Sequence, residues 1–540
     1  MMRPISHSTH IKFKLAQKVM SVIMKQTNAI SIIFSKAFYG AFVAFSFVIL
    51  ILYLYDQYNS LRYRLAKVLA QRVGYFRNDQ GNRIKELSLN TRFLRFSDGH
   101  EISKQGAALA DDEPYITWND GKPEIVLSNP GHVKDFFSRQ TQGHAKPPHM
   151  GMGPYFDRVL GSSVGVLNGD QWKAMRKVFD PNLSHQTAMD FRGTFSREVA
   201  AWMKNLQSQG STAANGALSP ELVLDASVTC RVLPFKMVAS VLYGNALSQD
   251  SFRELLALNS LHEKVMFNAF FGKQERSRLF SILPSQSKSL MDGFERKWRA
   301  FNLEMIEKAK KEGLPCPVAT MYPSVRKGSV TEKEFLHTID EILFANIDVT
   351  SSVLAFLLIN LARNSRAQTE LRQEIGRHGS DPEAYVEKTD TLLEYACMES
   401  IRLCPAAWFS LPEYATSDMM ISGYRIPSGT PCIIDWWRLN TQSPIWNSVE
   451  VSGTLFSPQR FQKLVPQDYR WSFLQFGLGS RKCIGKNVAR VMMKTFLVMV
   501  LKEWELQTVG SAKDAEQEMV DTKPDRFTVT PDQRLRFVRI

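Results

Sequence analysis

The chain has 540 residues, of which 44% are hydrophobic and 22% charged, so it can bury a large core and is neither a small peptide nor a disordered protein. Lysine and arginine number 67 against 53 acidic residues, and the formal net charge of +14 suits an anionic membrane, an acidic partner or nucleic acid without choosing among them. Because the six cysteines form no CxxC pair, neither a disulfide framework nor a structural zinc site is expected.

The first predicted element is a transmembrane helix at residues 37–55. These 19 residues are uncharged and mostly apolar, and at 1.5 Å per residue they nearly cross a hydrocarbon core of about 30 Å. Residues 1–36 form a basic N-terminal segment, and no repeat or long linker divides residues 56–540, which we expect to form one catalytic domain. The positive-inside rule favours a cytosolic catalytic domain, whereas the acid-free segment 1–36 also has the composition of a mitochondrial transit peptide.

Helical patterns dominate the middle of the chain. The clearest helix is predicted from Thr331 to about Asn364, because Thr331 and Glu334 form a capping box and no glycine or proline follows for more than thirty residues. Strand patterns are shorter and occur later, at 419–434 around a turn and at 527–540, where they predict a terminal hairpin. The expected fold class is mainly α with minor β.

The strongest chemical signal is the segment FGLGSRKCIG, residues 476–485. It places the thiol of Cys483 in a glycine-rich, cationic loop that leads into a helix. Basic neighbours and a helix N-terminus stabilise a thiolate, so the loop predicts a thiolate ligand site. The segment resembles the haem-binding loop of the cytochrome P-450 family, F-x-x-G-x-R-x-C-x-G, at all five positions: Phe476, Gly479, Arg481, Cys483 and Gly485.

Three further segments match motifs of this family, and they follow one another along the chain in the order found in the family. Glu399 and Arg402 form an E-x-x-R pair, and Arg460 lies in an F-x-P-x-R-F segment. The resemblance implies that these three residues form the Glu-Arg-Arg cluster that supports the haem side of the fold. Trp172 and Arg176 match W-x-x-x-R, which implies a contact with a haem propionate.

The long helix departs from the family pattern A-G-x-D/E-T-T. Here the sequence is ANIDVT, with Asn346 in place of the glycine and Val349 in place of the first threonine. We expect Asp348 to act through water as the acid near bound oxygen, with Asn346 and Thr350 beside it; the competing interpretation is a buried polar cluster that only completes hydrogen bonds. A second departure is Glu413, at a place where the family often has an arginine near the haem.

The resemblance implies a haem-thiolate monooxygenase that oxidises a small, largely apolar organic molecule. Its cofactor would be iron protoporphyrin IX with Cys483 as the axial ligand, and its electrons would come from NADPH through a membrane-bound reductase, because the chain carries no nucleotide-binding loop. The sequence resembles microsomal members of fungal secondary metabolism, and the NIDVT stretch resembles members of diketopiperazine-type mycotoxin pathways. The expected location is the endoplasmic reticulum membrane, with a mitochondrial membrane as the alternative, and no nucleic-acid partner is expected.

Two other functions stay open at this point. A haem-thiolate isomerase or dehydratase would share the Cys483 loop and need no external electrons, and the threonine missing at position 349 favours it. A non-enzymatic, membrane-anchored binding protein would explain the anchor and the charge but not the loop. Reductase-dependent turnover separates the first alternative from a monooxygenase, and haem incorporation separates the second.

Overall fold

A computed structural model describes most of the chain. It divides into two units, Met1–Arg62 and Tyr63–Ile540. The predicted transmembrane span lies largely outside the described residues, and the five of its residues that are described are helical and exposed. The described residues are 43–44, 46–47, 50, 61–138, 144–209, 221–272, 275, 284–344, 347–379, 381–447, 451–509, 520–523, 526 and 528–540.

Helices account for most of the unit Tyr63–Ile540, in agreement with the expected class. Those with both ends described and nine or more residues are α1 (Gly99–Ala110), α2 (Pro130–Ser138), α3 (Gly169–Phe179), α4 (Arg192–Gln209), α5 (Val232–Tyr243), α6 (Gln249–Phe271), α7 (Gln286–Glu312), α8 (Glu332–Leu343), α9 (Ile347–Arg363), α10 (Ser365–Arg377), α11 (Leu392–Leu403) and α12 (Lys486–Glu503). Residues 61–72 are helical as well. Shorter α-helices are Leu94–Ser97, Pro154–Val159, His185–Asp190, Ala226–Thr229, Pro317–Met321, Pro323–Arg326, Pro382–Glu387, Trp436–Gln442, Arg460–Lys463 and Pro466–Tyr469.

The strands of the described chain form three small sheets. They are β1 (Lys85–Asn90), β2 (Tyr115–Asn119), β3 (Lys122–Leu127), β4 (His144–Ala145), β5 (Glu221–Asp225), β6 (Glu413–Ala415), β7 (Met419–Ile421), β8 (Tyr424–Ile426), β9 (Pro431–Ile434), β10 (Trp504–Thr508) and β11 (Arg534–Arg539). The largest sheet has the order β1-β2-β3-β9-β6-β4, the second β10-β11-β5, and β7 pairs with β8. The predicted strands within 419–434 are therefore confirmed.

Helix α9 lies in the main hydrophobic core. Its residues Leu354, Ala355, Leu357 and Leu358 are fully buried. Two described helical stretches, Ala226–Ala246 and Glu332–Arg363, are long and apolar enough to cross a membrane, but 67% and 81% of their apolar windows are buried inside the protein. Burial of this extent is typical of core helices, so these stretches are weak evidence for membrane insertion.

The structure describes the predicted long helix as two helices, α8 and α9. Its capping box is confirmed, since the Glu334 N–H donates to Thr331 Oγ1 at 3.1 Å and the Thr331 N–H donates to Glu334 Oε2 at 2.8 Å. Helix α8 ends at Leu343 and α9 begins at Ile347, and the predicted join at residues 345–346 lies outside the described residues. The Ile347 N–H donates to the carbonyl of Phe344, three residues back, so the hydrogen bonding departs from the α-helical i→i−4 pattern at this point.

The predicted terminal hairpin at 527–540 is wrong. Strand β11 lies between β10 and β5 and pairs antiparallel with both. The backbone before β11 bonds elsewhere, with the Val529 N–H donating to the carbonyl of Ala406. Leu535 and Phe537 alternate with more exposed positions and are buried, so this strand needs a sheet with a packed face, which a two-stranded hairpin would not supply.

A buried charge cluster joins α11 to the segment that follows β9. Glu399, Arg402 and Arg460 have side chains that are 0% exposed, with Arg402 Nε 2.7 Å from Glu399 Oε2 and Arg460 Nε 3.3 Å from Glu399 Oε1. Arg402 Nη1 also donates to the carbonyls of Asn440 and Gly453, at 2.8 and 2.6 Å. The structure thus brings the three residues together, and one carboxylate neutralises two buried guanidinium groups.

The substitution Glu399→Gln should lower the free energy of unfolding by about 3–5 kcal/mol, because it leaves two buried cations without their counter-ion. Urea denaturation followed by circular dichroism measures this change. Asp170→Asn is the control, since Asp170 pairs with Lys173 at the same three-residue spacing but on the surface, and it should leave the transition unchanged. Equal stabilities of the two variants would show that the cluster does not hold this part of the fold together.

Candidate active site

The loop before α12 holds Cys483 in a fixed backbone conformation. The Cys483 N–H donates to the carbonyl of Phe476 at 2.9 Å and closes the loop. Gly477 and Gly479 have φ angles of +79° and +67°, values that side chains with a Cβ rarely adopt. The glycine at position 479 is therefore required by the turn that presents the thiol.

The thiol of Cys483 faces a space inside the fold. Its neighbours Phe476 and Ile484 pack against the main hydrophobic core, yet the Cys483 side chain is itself exposed. The surrounding protein nevertheless buries this thiol enough to raise its pKa, so the accessible sulfur lies beside a space that the fold encloses.

Burial in the protein favours the protonated form of this thiol. Burial raises the pKa of the Cys483 thiol, and the charge of Glu341 adds to the rise, while the N–H groups of Gly485 and Lys486 and the charge of Arg176 oppose it. The expectation that basic neighbours and the helix N-terminus would make a thiolate is thus only partly met, because burial outweighs them. A metal cation supplies the missing charge, since a coordinating thiol is deprotonated outright.

A haem group fits this donor set. Within the part of the chain that the structure describes, no group of three or more His, Cys, Asp and Glu side chains could hold a metal ion. A metal at Cys483 must therefore bring most of its ligands with it, as the iron of haem does.

Helix α3 and the Cys483 loop are joined by two arginines around Trp172. The Arg481 guanidinium lies 5.1 Å from the ring centroid of Trp172 and the Arg176 guanidinium 5.8 Å from it. Arg176 Nη1 donates to the carbonyl of Lys482 at 3.1 Å, and Arg481 Nη2 donates to Asn168 Oδ1 at 2.6 Å. The structure therefore brings Cys483, Arg481, Trp172 and Arg176 together, as the sequence indicated, and presents cations where an anionic edge of a cofactor would bind.

Glu413 lies at a position where the family often has an arginine. In this protein it pairs with two basic side chains. Lys146 Nζ lies 2.8 Å from Glu413 Oε1, and His144 Nδ1 lies 3.5 Å from Glu413 Oε2. Burial alone would raise the pKa of Glu413, but Lys146 and His144 bring it down to about 2. Sequence reasoning missed Lys146 because only the pairing of β4 with β6 brings it to Glu413.

Asp348 is held in an ion pair that the sequence did not reveal. Its carboxylate accepts from Arg231, and Arg231 Nη2 lies 2.8 Å from Glu263 Oε1 on α6. The Asp348 side chain is 5% exposed and that of Arg231 26%, so the pair connects the start of α9 with the surface. Thr350 is half-buried on the same helix, and Asn346 lies outside the described residues.

Sequence reasoning also missed Glu341 on α8. Its carboxylate accepts from the N–H of Gly165 at 2.9 Å, and its charge acts on the pKa values of both Cys483 and Arg481. No spacing rule links positions 165 and 341, so only the fold could reveal this residue.

Comparison with known proteins agrees with this geometry. The family model for cytochrome P-450 matches residues 112–532. The monooxygenase lepD of Aspergillus flavus is 36% identical over 466 residues, covering 86% of this chain and 90% of the relative. The monooxygenase opdB of Penicillium oxalicum is 35% identical, covering 83% and 90%, and the monooxygenase PUL2 of Kluyveromyces lactis is 30% identical, covering 93% and 97%. The chain therefore belongs to the cytochrome P-450 family and is a monooxygenase of that family.

Proposed function

We propose that this monooxygenase acts in fungal secondary metabolism and oxidises a small, largely apolar molecule of the diketopiperazine type. The observation that carries the reaction class is the Cys483 thiol, which faces an internal void beside Trp172, Arg176 and Arg481. The relatives named above are fungal cytochrome P-450 monooxygenases, which favours this function over the haem-thiolate isomerase and the non-enzymatic binding protein. The substrate class is supported by the resemblance of the NIDVT stretch to members of diketopiperazine pathways.

The proposed mechanism assigns each part of the site a task. Bound haem supplies the oxygen-activating chemistry, and a thiolate ligand favours cleavage of the O–O bond. Cys483 would ligate the iron, Gly485 and Lys486 would direct their N–H groups to its sulfur, and Arg176, Arg481 and Trp172 would hold the anionic edge of the cofactor. Asp348 would relay protons through water, with Arg231 controlling the position of its carboxylate.

The proposal includes the source of the electrons and the location of the protein in the cell. The chain would receive electrons from a membrane-bound, NADPH-dependent reductase, and its net charge of +14 suits an acidic protein partner. Residues 37–55 would anchor it in the endoplasmic reticulum membrane with residues 56–540 in the cytosol. The exposed apolar side chains Val43, Phe47 and Leu50 of this segment are compatible with a lipid environment.

Cys483→Ala should abolish the red-shifted Soret band of the reduced, carbon monoxide-bound protein, because that band requires a thiolate ligand. Absorption spectroscopy of the purified protein measures it. Cys404→Ala is the matched control, since the Cys404 sulfur accepts a hydrogen bond from Asn360 on α9, and this substitution should leave the band intact. A thiolate band in Cys483→Ala would show that another residue binds the iron.

Asp348→Asn should lower the rate of product formation by roughly 10²- to 10⁴-fold, the usual contribution of one proton donor. The rate is measured in microsomes of a deletion strain complemented with each variant, with the product identified by metabolite profiling. Glu263→Gln removes the other ionic partner of Arg231 and keeps Asp348, so it should retain most of the rate. If Asp348→Asn turns over at the wild-type rate, Asp348 is only a structural partner of Arg231.

Protease added to sealed microsomes should digest residues 56–540, because the proposed orientation places them outside the vesicle. A protein of the reticulum lumen serves as the protected control. The chain has one N-x-S/T acceptor, at Asn182, and it should carry no glycan. Protection of the domain, or a glycan at Asn182, would reverse the orientation.

A further inference from the structure

The loop before α3 is attached to one end of α8 by three hydrogen bonds. The N–H of Ser162 donates to His337 Nδ1 at 3.2 Å, and the N–H of Val164 donates to Thr338 Oγ1 at 3.1 Å. The N–H of Gly165 donates to Glu341 Oε2 at 2.9 Å. This loop runs directly into Asn168, which binds Arg481, so the attachment positions Glu341 close to the Cys483 site.

The carboxyl group of Glu341 lies so close to position 165 that only a glycine fits there. A Cβ added at Gly165 would overlap Oε1 of Glu341, so the carboxyl lies directly against the loop backbone. Asp340 is 1% exposed and Ile342 7%, whereas Glu341 between them is half-buried. Because Gly165 lies three residues before Asn168, which accepts from Arg481 of the Cys483 loop, we place the exposed part of Glu341 in the void that the thiol faces.

Glu341 differs from the neighbouring acidic residues in its partners. Asp340 Oδ1 lies 2.9 Å from His262 Nε2, and Asp348 is paired with Arg231. Glu341 instead receives its hydrogen bond from an uncharged backbone N–H. Since Asp340 and Asp348 are neutralised by basic side chains, Glu341 is the one of these three carboxylates that is suited to a ligand.

The charges around Glu341 define the ligand it suits. Burial raises the pKa of Glu341, whereas the N–H of Gly165, the hydroxyl of Ser163 and the charge of Lys146 lower it. A carboxylate offers about four acceptor sites, so sites remain for an incoming donor that would offset its buried charge. Arg176, Arg481 and Lys146 already make the surroundings cationic, and a neutral donor therefore fits better than a second cation.

We propose that Glu341 is the polar anchor of the substrate pocket and accepts a hydrogen bond from a neutral amide N–H, as in a lactam or cyclic dipeptide. The inference rests on the proposed function and deepens it, because it names the group by which an otherwise apolar substrate is oriented. Glu341 is a specificity-determining residue in this account. Asp348 keeps the separate task of relaying protons.

The test compares a cyclic dipeptide, cyclo(Phe-Phe), with its N,N′-dimethyl derivative, which has the same ring but no N–H donor. Both are titrated into the haem-loaded, full-length protein, and binding is measured from the shift of the Soret band. A hydrogen bond to a charged group stabilises a complex enough to give a preference of roughly 10- to 100-fold for the N–H compound. Wild-type protein should show this preference.

Three variants assign the preference to Glu341. Glu341→Gln keeps an oxygen for the N–H of Gly165 but loses the charge, and it should lose most of the preference. Gly165→Ala should lose it as well, because its Cβ would displace the carboxyl from the loop. Glu332→Gln, on the same helix but paired with Arg299 at the surface, should retain the full preference, and thermal melting shows whether each variant is folded.

Equal binding of the two compounds to wild-type protein, or no binding of either, would overturn the inference. So would a preference that persists in Glu341→Gln or in Gly165→Ala. Failure of the proposed function looks different, because the thiolate band or the reductase-dependent oxidation would then be missing. A protein with both properties and no N–H preference contradicts only the assignment of Glu341.

Discussion

The backbone of residues 476–485 must present one sulfur atom to an internal void while its own polar groups stay paired. The Cys483 N–H bonds to Phe476, and the N–H groups at the start of α12 point at the sulfur. Arg176 reaches the carbonyl of Lys482, and Arg481 reaches Asn168 before α3. This loop therefore links α3 to α12 and presents the thiol to the void.

The acidic residues of the structure show how differently one type of group can be used. Glu399 is fully buried between two arginines and stabilises the fold. Glu413 is kept ionised by Lys146 and His144, and Asp348 is paired with an arginine that reaches the surface. Glu341 is bound by an uncharged N–H and faces the void. The partners of each carboxylate, rather than its burial alone, decide whether it is structural or available for chemistry.

Much of the site could be predicted where the signal is local in sequence. The Cys483 loop follows from residues within ten positions of one another, because glycines, basic residues and a helix start are all required close to one thiol. The capping box at Thr331 is equally local and was predicted in full. Glu399 could be selected only by its place in the order of motifs, since E-x-x-R occurs elsewhere in the chain.

The features that could not be predicted join distant parts of the chain. Arg231 and Asp348 are 117 positions apart, and Gly165 and Glu341 are 176 positions apart, so no pattern within one helix can reveal either contact. The partners of β11 are distant for the same reason. The end of α8 at Leu343 could not be predicted, because the sequence there contains no glycine or proline, the residues that usually mark a helix end.

Crystallographic anomalous difference density, collected at the iron absorption edge from the haem-loaded protein, tests the central claim most directly. It locates the iron without any assumption about its ligands. The account predicts one iron site bonded to the sulfur of Cys483, with Arg176, Arg481 and Trp172 around the anionic edge of the haem. Iron bonded to another side chain, or an iron site away from the Cys483 loop, would contradict it.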